Sequence, residues 1–223
     1  AGARRRRLAR IGRRQGGEPA EHPGDFSPGE YDLGGFVVGV LEKKKMIRPE
    51  AVAAGDVLIG IPSSGLHSNG YSLARKVLLD RARLKVRQRI PELGRTLGEE
   101  LLEPTRIYAK ITRRLFAEHP IKGAAHITGG GISGNLPRVL PKGRRAVLER
   151  GSWPVPPVFD LIQKIGRIDR DEMDRTFNIG VGLVLVVARK HADGVRRTLE
   201  KLDEPAYLIG EIRNGARGAR ISS

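Results

Sequence analysis

The 223-residue chain is 39% hydrophobic and 30% charged, with 29 glycines, 14 prolines and no cysteine. That balance excludes a fibrous polymer, and without thiols there are no disulfides or thiolate metal sites, which suits the cytoplasm. The net charge of +16 sits largely at the ends: residues 1–14 hold seven arginines and no acid, and Arg213, Arg217 and Arg220 add three more.

The remaining excess of +6 suits a phosphate-bearing substrate, but an arginine-biased sequence would show it too. No apolar run approaches the ~20 residues that span a bilayer, so no membrane partner is expected. Residues 1–15 read as a basic, solvated arm, since charge blocks usually stay in water. Prolines and glycines make 16–24 a loop. Within it and just beyond, Glu18, Glu21, Asp25 and Asp32 form an acidic group. Each alone suits a solvated loop; Glu18 and Glu21 are the candidates for Mg²⁺, which takes a few carboxylates plus substrate phosphates. Residues 35–42 have the β-branched content of a strand. A domain junction is expected near 47–54.

Val57 to Ile61 reads as a buried strand that breaks into Ser63-Ser64-Gly65-Leu66-His67-Ser68-Asn69-Gly70. Ser68 or Asn69 is expected to cap a helix on which Leu73, Val77 and Leu78 share a face. Residues 81–98 read as a surface excursion, and a helix is expected from 101 with Ile107, Ile111 and Leu115 in one row. A strand at 124–127 ends in Gly129-Gly130-Gly131, followed by a short helix around 135–139. Further elements are a strand at 145–149, helices at 158–165 and 169–177, a strand at 181–187, a helix at 190–202 and a last strand at 206–212. The class is therefore α/β (α+β), a mixed β-sheet flanked by helices.

Two strand-to-helix turns of this composition leave main-chain N–H groups free for an anion. The expectation is that two neighbouring strands end in one shared crevice. Ser63, Ser64, Gly65, His67, Ser68 and Asn69 crowd one turn with small polar groups of the kind a ligand pocket supplies. Successive glycines at 129–131 cost backbone entropy, so they favour close approach of a ligand. There is no Gly-x-Ser-x-Gly elbow and no Gly-Lys-Ser/Thr loop. Gly131-Ile132-Ser133-Gly134 mimics a nucleic-acid-clamping loop, but its flanks do not fit one. His119 and His126 read as structural. Arg175, beside Asn178, is placed to pair a phosphate.

The stretches 63–73, 102–108, 126–131 and 172–182, with 29–33 upstream, resemble phosphoribosylformylglycinamidine cyclo-ligases, also called aminoimidazole ribonucleotide synthetases. The resemblance runs from about 16 to 212. It implies ATP-dependent ring closure of formylglycinamidine ribonucleotide to aminoimidazole ribonucleotide, with ATP and Mg²⁺, in a cytoplasmic homodimer. It implies His67 and Asn69 as catalytic, and Ser63, Ser64, Gly65, Ser68, Gly129, Gly130, Gly131, Arg175 and Asn178 as substrate-binding. Pro19, His22 and Gly34 depart from the family pattern, and most of the family's N-terminal domain has no counterpart. The layout implied is an arm at 1–15, a remnant of the ATP-binding domain at 16–48 and the synthetase domain at 49–223. Other ATP-using phosphotransferases of that superfamily are the second possibility. A basic nucleic-acid-binding protein is the third possibility, disfavoured because four Tyr, five Phe and one Trp make few stacking platforms.

Overall fold

The structure is a computed structural model that describes residues 38–222. The chain divides into two units, 1–45 and 46–223. Of the first, residues 38–42 are not a strand, contrary to the expectation from their β-branched side chains, and a single 3₁₀ turn follows at Lys43–Lys45. A strand needs a neighbour for its ladder, and the described residues give this segment none.

The second unit is built on a six-stranded sheet: β4 (Ile121–His126), β6 (Val181–Val187), β1 (Val57–Pro62), β7 (Tyr207–Asn214), β5 (Arg144–Glu149) and β8 (Gly218–Ser222), in that spatial order. Val181-Gly182-Leu183-Val184-Leu185-Val186-Val187 is apolar throughout and buried at every position. A strand with no polar side can only lie in the middle of a sheet covered on both faces. Both its neighbours pair with it antiparallel: Leu58 faces Val186 and Ile59 faces Leu185 on one side, while Gly123 faces Val186 and Ala124 faces Leu185 on the other. β1 and β4 are therefore parallel to each other although β6 separates them. They are not adjacent, as expected from sequence, but they finish at the same end of the sheet.

One face of the sheet presents Val57, Ile59, Ile61, Leu183, Leu185 and Val187 to α3 (Ala109–Glu118) and α7 (Ala192–Glu200). The helices answer with Ile111, Leu115, Val195 and Leu199, three or four residues apart on their inner sides. The other face carries Leu58, Val184, Val186 and Ile209. It packs against Ile132 and Leu136, from α4 (Gly131–Asn135) and the 3₁₀ turn that continues it at Leu136–Val139. A third cluster joins α1 (Tyr71–Arg75), its π-helical extension Lys76–Arg81, α5 (Pro157–Gly166) and α6 (Arg170–Thr176) around Leu78, Phe159 and Phe177.

Several elements differ from the sequence expectation. The cap of α1 is Gly70, at φ +77°, and not Ser68 or Asn69. The Phe177 ring lies so close that a Cβ at Gly70 would come within 2.2 Å of it. The excursion at 81–98 contains a small hairpin, β2 (Arg89–Ile90) with β3 (Arg95–Thr96), that turns Ile90 inward. α2 (Leu97–Leu101) follows, closed by a reciprocal Thr96–Glu99 capping box. Residues 102–108 form an extended loop, so Ile107 is 84% exposed instead of joining Ile111 and Leu115. β8 was not anticipated: it lies parallel to β5, which is held between β7 and β8.

Because Leu185 is fully buried in the central strand, Leu185→Ala should cost about 2–5 kcal/mol. Urea denaturation should show a lower midpoint with an unchanged slope.

Candidate functional site

The end of the sheet where β1 and β4 run out carries both turns. Ser63 N–H bonds the Gly180 carbonyl at 2.9 Å and Ile127 N–H bonds the Gly182 carbonyl at 2.8 Å, which holds each turn to the start of β6. Across the gap, the Asn69 side-chain oxygen lies 3.4 Å from where a Cβ on Gly129 would stand. The His67 and His126 rings are 6.3 Å apart. The serine-bearing and glycine-bearing turns thus face one crevice.

Asn178 fixes the first turn. Its side-chain oxygen accepts from Ser63 Oγ and from Gly180 N–H, both at 2.8 Å, and its NH₂ donates to the Gly65 and Leu66 carbonyls at 2.9 and 3.3 Å. All four of its hydrogen-bonding positions are taken by protein, and it is 2% exposed. Ser63 is spent in the same contact. These two hold the turn instead of lining the crevice. A loop at 102–108 lies over the turn: Ser64 Oγ donates to the Pro104 carbonyl at 2.6 Å, and Ser68 Oγ pairs with Thr105 Oγ1 at 2.7 Å. Gly65 is buried beneath it, its missing side chain facing Glu100 and Glu103. Asn69 is half-buried and has no side-chain hydrogen bond among the described residues, so its amide remains available.

The second turn is cinched by Asn135, which the sequence did not mark out. From a site 3% exposed, its NH₂ reaches the carbonyls of Thr128, Gly129 and Gly131 at 3.2, 3.1 and 2.8 Å, and its oxygen accepts from Thr128 Oγ1. The three glycines divide by role. Gly131, at φ +59°, is buried against the end of α6: a Cβ there would be 1.9 Å from the Asp174 carbonyl oxygen. Gly129 and Gly130 are exposed toward the crevice, with nothing closer than 3.4 Å to a Cβ built on either. Among the described residues no hydrogen bond occupies the main-chain N–H of Gly129, Gly130, Ile132 or Ser133. Such groups at a helix start attract anions.

Arg175 follows Asp174, whose carbonyl packs against Gly131, so its backbone lies next to the glycine turn. α6 buries Met173 and turns its charged side out, leaving Arg175 66% exposed with Glu172 as its partner at 3.4 Å. A second arginine, at the serine turn, is Arg106, which reaches the Pro62 carbonyl at 3.3 Å, pairs with Glu204 and lies 5.9 Å from the centre of the Tyr108 ring. His126 is exposed, with its ring edge-on to Tyr108 at 5.7 Å, and His119 is bonded to Thr198 at 2.8 Å. The stretch 102–108 carries the family resemblance, but nothing in it marked Arg106 as a partner of the serine turn. Its place became visible only when β1 and that loop met. Glu18 and Glu21 lie outside the described residues. Among the described residues no three His, Asp or Glu side chains gather as a metal site. A hollow of about 650 Å³ over β7, β5 and β8 is lined by Arg145, Leu208, Arg213 and Arg220 and by neither turn. Its lining is a sheet face, whereas the turns concentrate free N–H groups, so the chemistry favours the crevice between the turns.

His67 is 3% exposed and sits at φ +59°. Burial first, then the His126 and Arg106 charges, lower its pKa to about 4. Tyr108, whose hydroxyl donates to the Pro62 carbonyl at 2.7 Å, is pushed well above the usual phenol range by burial. Gly182 makes room for both rings, since a Cβ there would lie 2.6 Å from His67 Cε1 and 1.9 Å from the Tyr108 oxygen.

Residues 53–222 match the family described as AIR synthase related protein, C-terminal domain. The chain belongs to that family. Curated relatives named phosphoribosylformylglycinamidine cyclo-ligase include those of Geobacillus thermodenitrificans, 51% identical over 201 residues, and Myxococcus xanthus, 54% identical over 200. Each alignment covers 90% of this chain, and the chain spans 58% of the relatives' length. The fold is shared with the thiamine-monophosphate kinase from Stenotrophomonas maltophilia (TM-score 0.56, 19% identity, 82% of this chain and 54% of that one). No helix among the described residues is long and apolar enough to cross a membrane.

Two outcomes follow from the packing. Gly131→Ala should destabilise the chain by about 3 kcal/mol or more, since backbone, not a flexible tip, must move; thermal denaturation reads this. The second concerns pH. A folded-state pKa for His67 below the unfolded 6.5 means stability is fully present above pH 6.5 and is lost as the pH falls toward 4. Between pH 7 and 4.5 the wild type should lose roughly 2–3 kcal/mol more than His67→Gln, measured by urea denaturation at each pH.

Proposed function

We propose that this chain supplies the ribonucleotide-binding part of a phosphoribosylformylglycinamidine cyclo-ligase, which closes formylglycinamidine ribonucleotide to aminoimidazole ribonucleotide with ATP. The observation that carries the proposal is that the Asn69 side-chain oxygen lies 3.4 Å from where a Cβ on Gly129 would stand, so the free N–H groups of one turn and the free amide of the other share a single crevice. Family membership and the names of relatives about 50% identical support it.

In this reaction ATP phosphorylates the formyl oxygen, the amidine nitrogen attacks the activated carbon, and phosphate leaves with that oxygen. The protein's task is mainly electrostatic: donors must be in place where phosphate charge sits and where it develops. On this chain the Gly129, Gly130, Ile132 and Ser133 N–H groups are suited to the substrate phosphate, with Gly131 as their packed base. Asn69 is the side chain free to touch the reacting formyl group. Ser64, Gly65 and Ser68 shape the opposite wall, which Ser63 and Asn178 hold. Arg106, already paired with Glu204, and the more exposed Arg175 are the arginines offered to the phosphate. ATP and Mg²⁺ fall to residues outside those described, Glu18 and Glu21 among them, and to the part of the relatives that this chain does not span. A cytoplasmic homodimer is the form in which we place the whole protein.

Calorimetric titration with formylglycinamidine ribonucleotide and, separately, with Mg-ATP tests the proposal. The ribonucleotide should bind and ATP should bind weakly or not at all. Gly129→Ala is the sharper test. Gly129 has no positive φ and its Cβ would meet nothing closer than 3.4 Å, so the variant should keep its melting temperature. The added methyl enters the crevice and should weaken ribonucleotide binding about tenfold, or about 1.4 kcal/mol. Unchanged affinity in Gly129→Ala, or no ribonucleotide binding by the wild type, rules the site out.

A further inference from the structure

We infer that His67 is a positioning residue and not a proton carrier: its Nε2 lone pair holds the serine turn in shape beneath the 102–108 loop. The inference deepens the proposed function, from which it takes only the identity of the ligand.

The geometry fixes which ring nitrogen bears the proton. Ser64 N–H is 3.1 Å from Nε2, and Arg106 N–H approaches the same atom at 3.5 Å. A ring nitrogen that receives an N–H is the unprotonated one, so the hydrogen of the neutral ring is on Nδ1. That Nδ1 is buried and has no partner among the described residues. A buried donor left unpaired costs free energy, so the ring is held in this orientation by what Nε2 gains.

A proton carrier must offer a ring nitrogen to the substrate, whereas Nε2 already accepts from Ser64 and Arg106 and Nδ1 is buried. The groups facing His67 are the Tyr108 ring at 6.1 Å, the His126 ring at 6.3 Å and the Arg106 side chain. None is a carboxylate, and the cationic ones disfavour an imidazolium. Burial and those charges keep the ring neutral, with its pKa lowered to about 4.

What Nε2 accomplishes is local. Ser64 belongs to the turn and Arg106 to the loop above it, and Ser64 Oγ–Pro104 and Ser68 Oγ–Thr105 join the same two segments. The imidazole acceptor is the innermost of these ties, and Gly182 leaves the space into which its ring is tucked.

The test compares wild type, His67→Ala and His67→Gln in the full chain, Gln being able to offer its side-chain oxygen near the place of Nε2. Nitrogen NMR of the imidazoles, with His67→Gln identifying the signal among five histidines, should show a neutral Nδ1–H ring that does not titrate between about pH 5 and 8. The Ser64 and Arg106 amides should be protected from hydrogen exchange in wild type and His67→Gln and unprotected in His67→Ala. Formylglycinamidine ribonucleotide should bind about tenfold more weakly to His67→Ala and within about threefold of wild type to His67→Gln. An Nε2–H ring, a titration inside that pH range, or equal loss in both variants overturns the inference. If the wild type binds no ribonucleotide, the proposed function fails, and the ring signal and amide exchange still decide the role of His67. The wild-type spectrum decides it even if a variant does not fold.

Discussion

The arrangement depends on β6 and on the way two strands pair with it. Main-chain hydrogen bonding on both edges of one strand, antiparallel each time, forces β1 and β4 to point the same way. Their last residues then emerge at one end of the sheet, a single strand apart. Nothing in either turn could bring it to the other without that constraint. The all-apolar sequence of β6 is what makes the central position obligatory, since burying seven such residues on both faces is the only way to keep them from water.

At the emerging ends, two buried carboxamides carry out similar work. Asn178 and Asn135 each satisfy carbonyl and hydroxyl groups that the turns would otherwise leave orphaned, and neither reaches the crevice. Their value is geometric. Each carbonyl so engaged is turned inward, which leaves adjacent N–H groups facing outward. Gly131 and Gly182 contribute by absence: α6 carbonyls and the His67 and Tyr108 rings occupy the volume a side chain would need. Polar groups that look like ligands in the sequence thus divide into those that hold and those that touch.

That division was what the sequence could not express. The strong apolar run at 181–187, the helix at 157–166 and both turns were legible because periodicity and composition are local properties. Asn178 and Ser63 were legible as important but not as partners of each other, being 115 residues apart. Arg175 reaches the glycine turn through the packing of α6 on Gly131, while Arg106 arrives from a loop between α2 and α3, a meeting no local pattern shows. Ile107 fits a helical row with Ile111 and Leu115, but the contacts of Pro104 and Thr105 with the serine turn keep that segment extended. β8 carries a short Gly-Ala-Arg-Ile-Ser sequence with little strand signal, and only pairing with β5 makes it one. The cap of α1 depends on Phe177, a contact no local pattern reveals.

The inward carboxamides have a kinetic side. A ligand that must first organise a loop loses free energy to that ordering and arrives slowly. Here the turns are already held by side chains 2% and 3% exposed, themselves out of reach of solvent competition. A ligand taken by this crevice would therefore meet walls that need no reordering before contact.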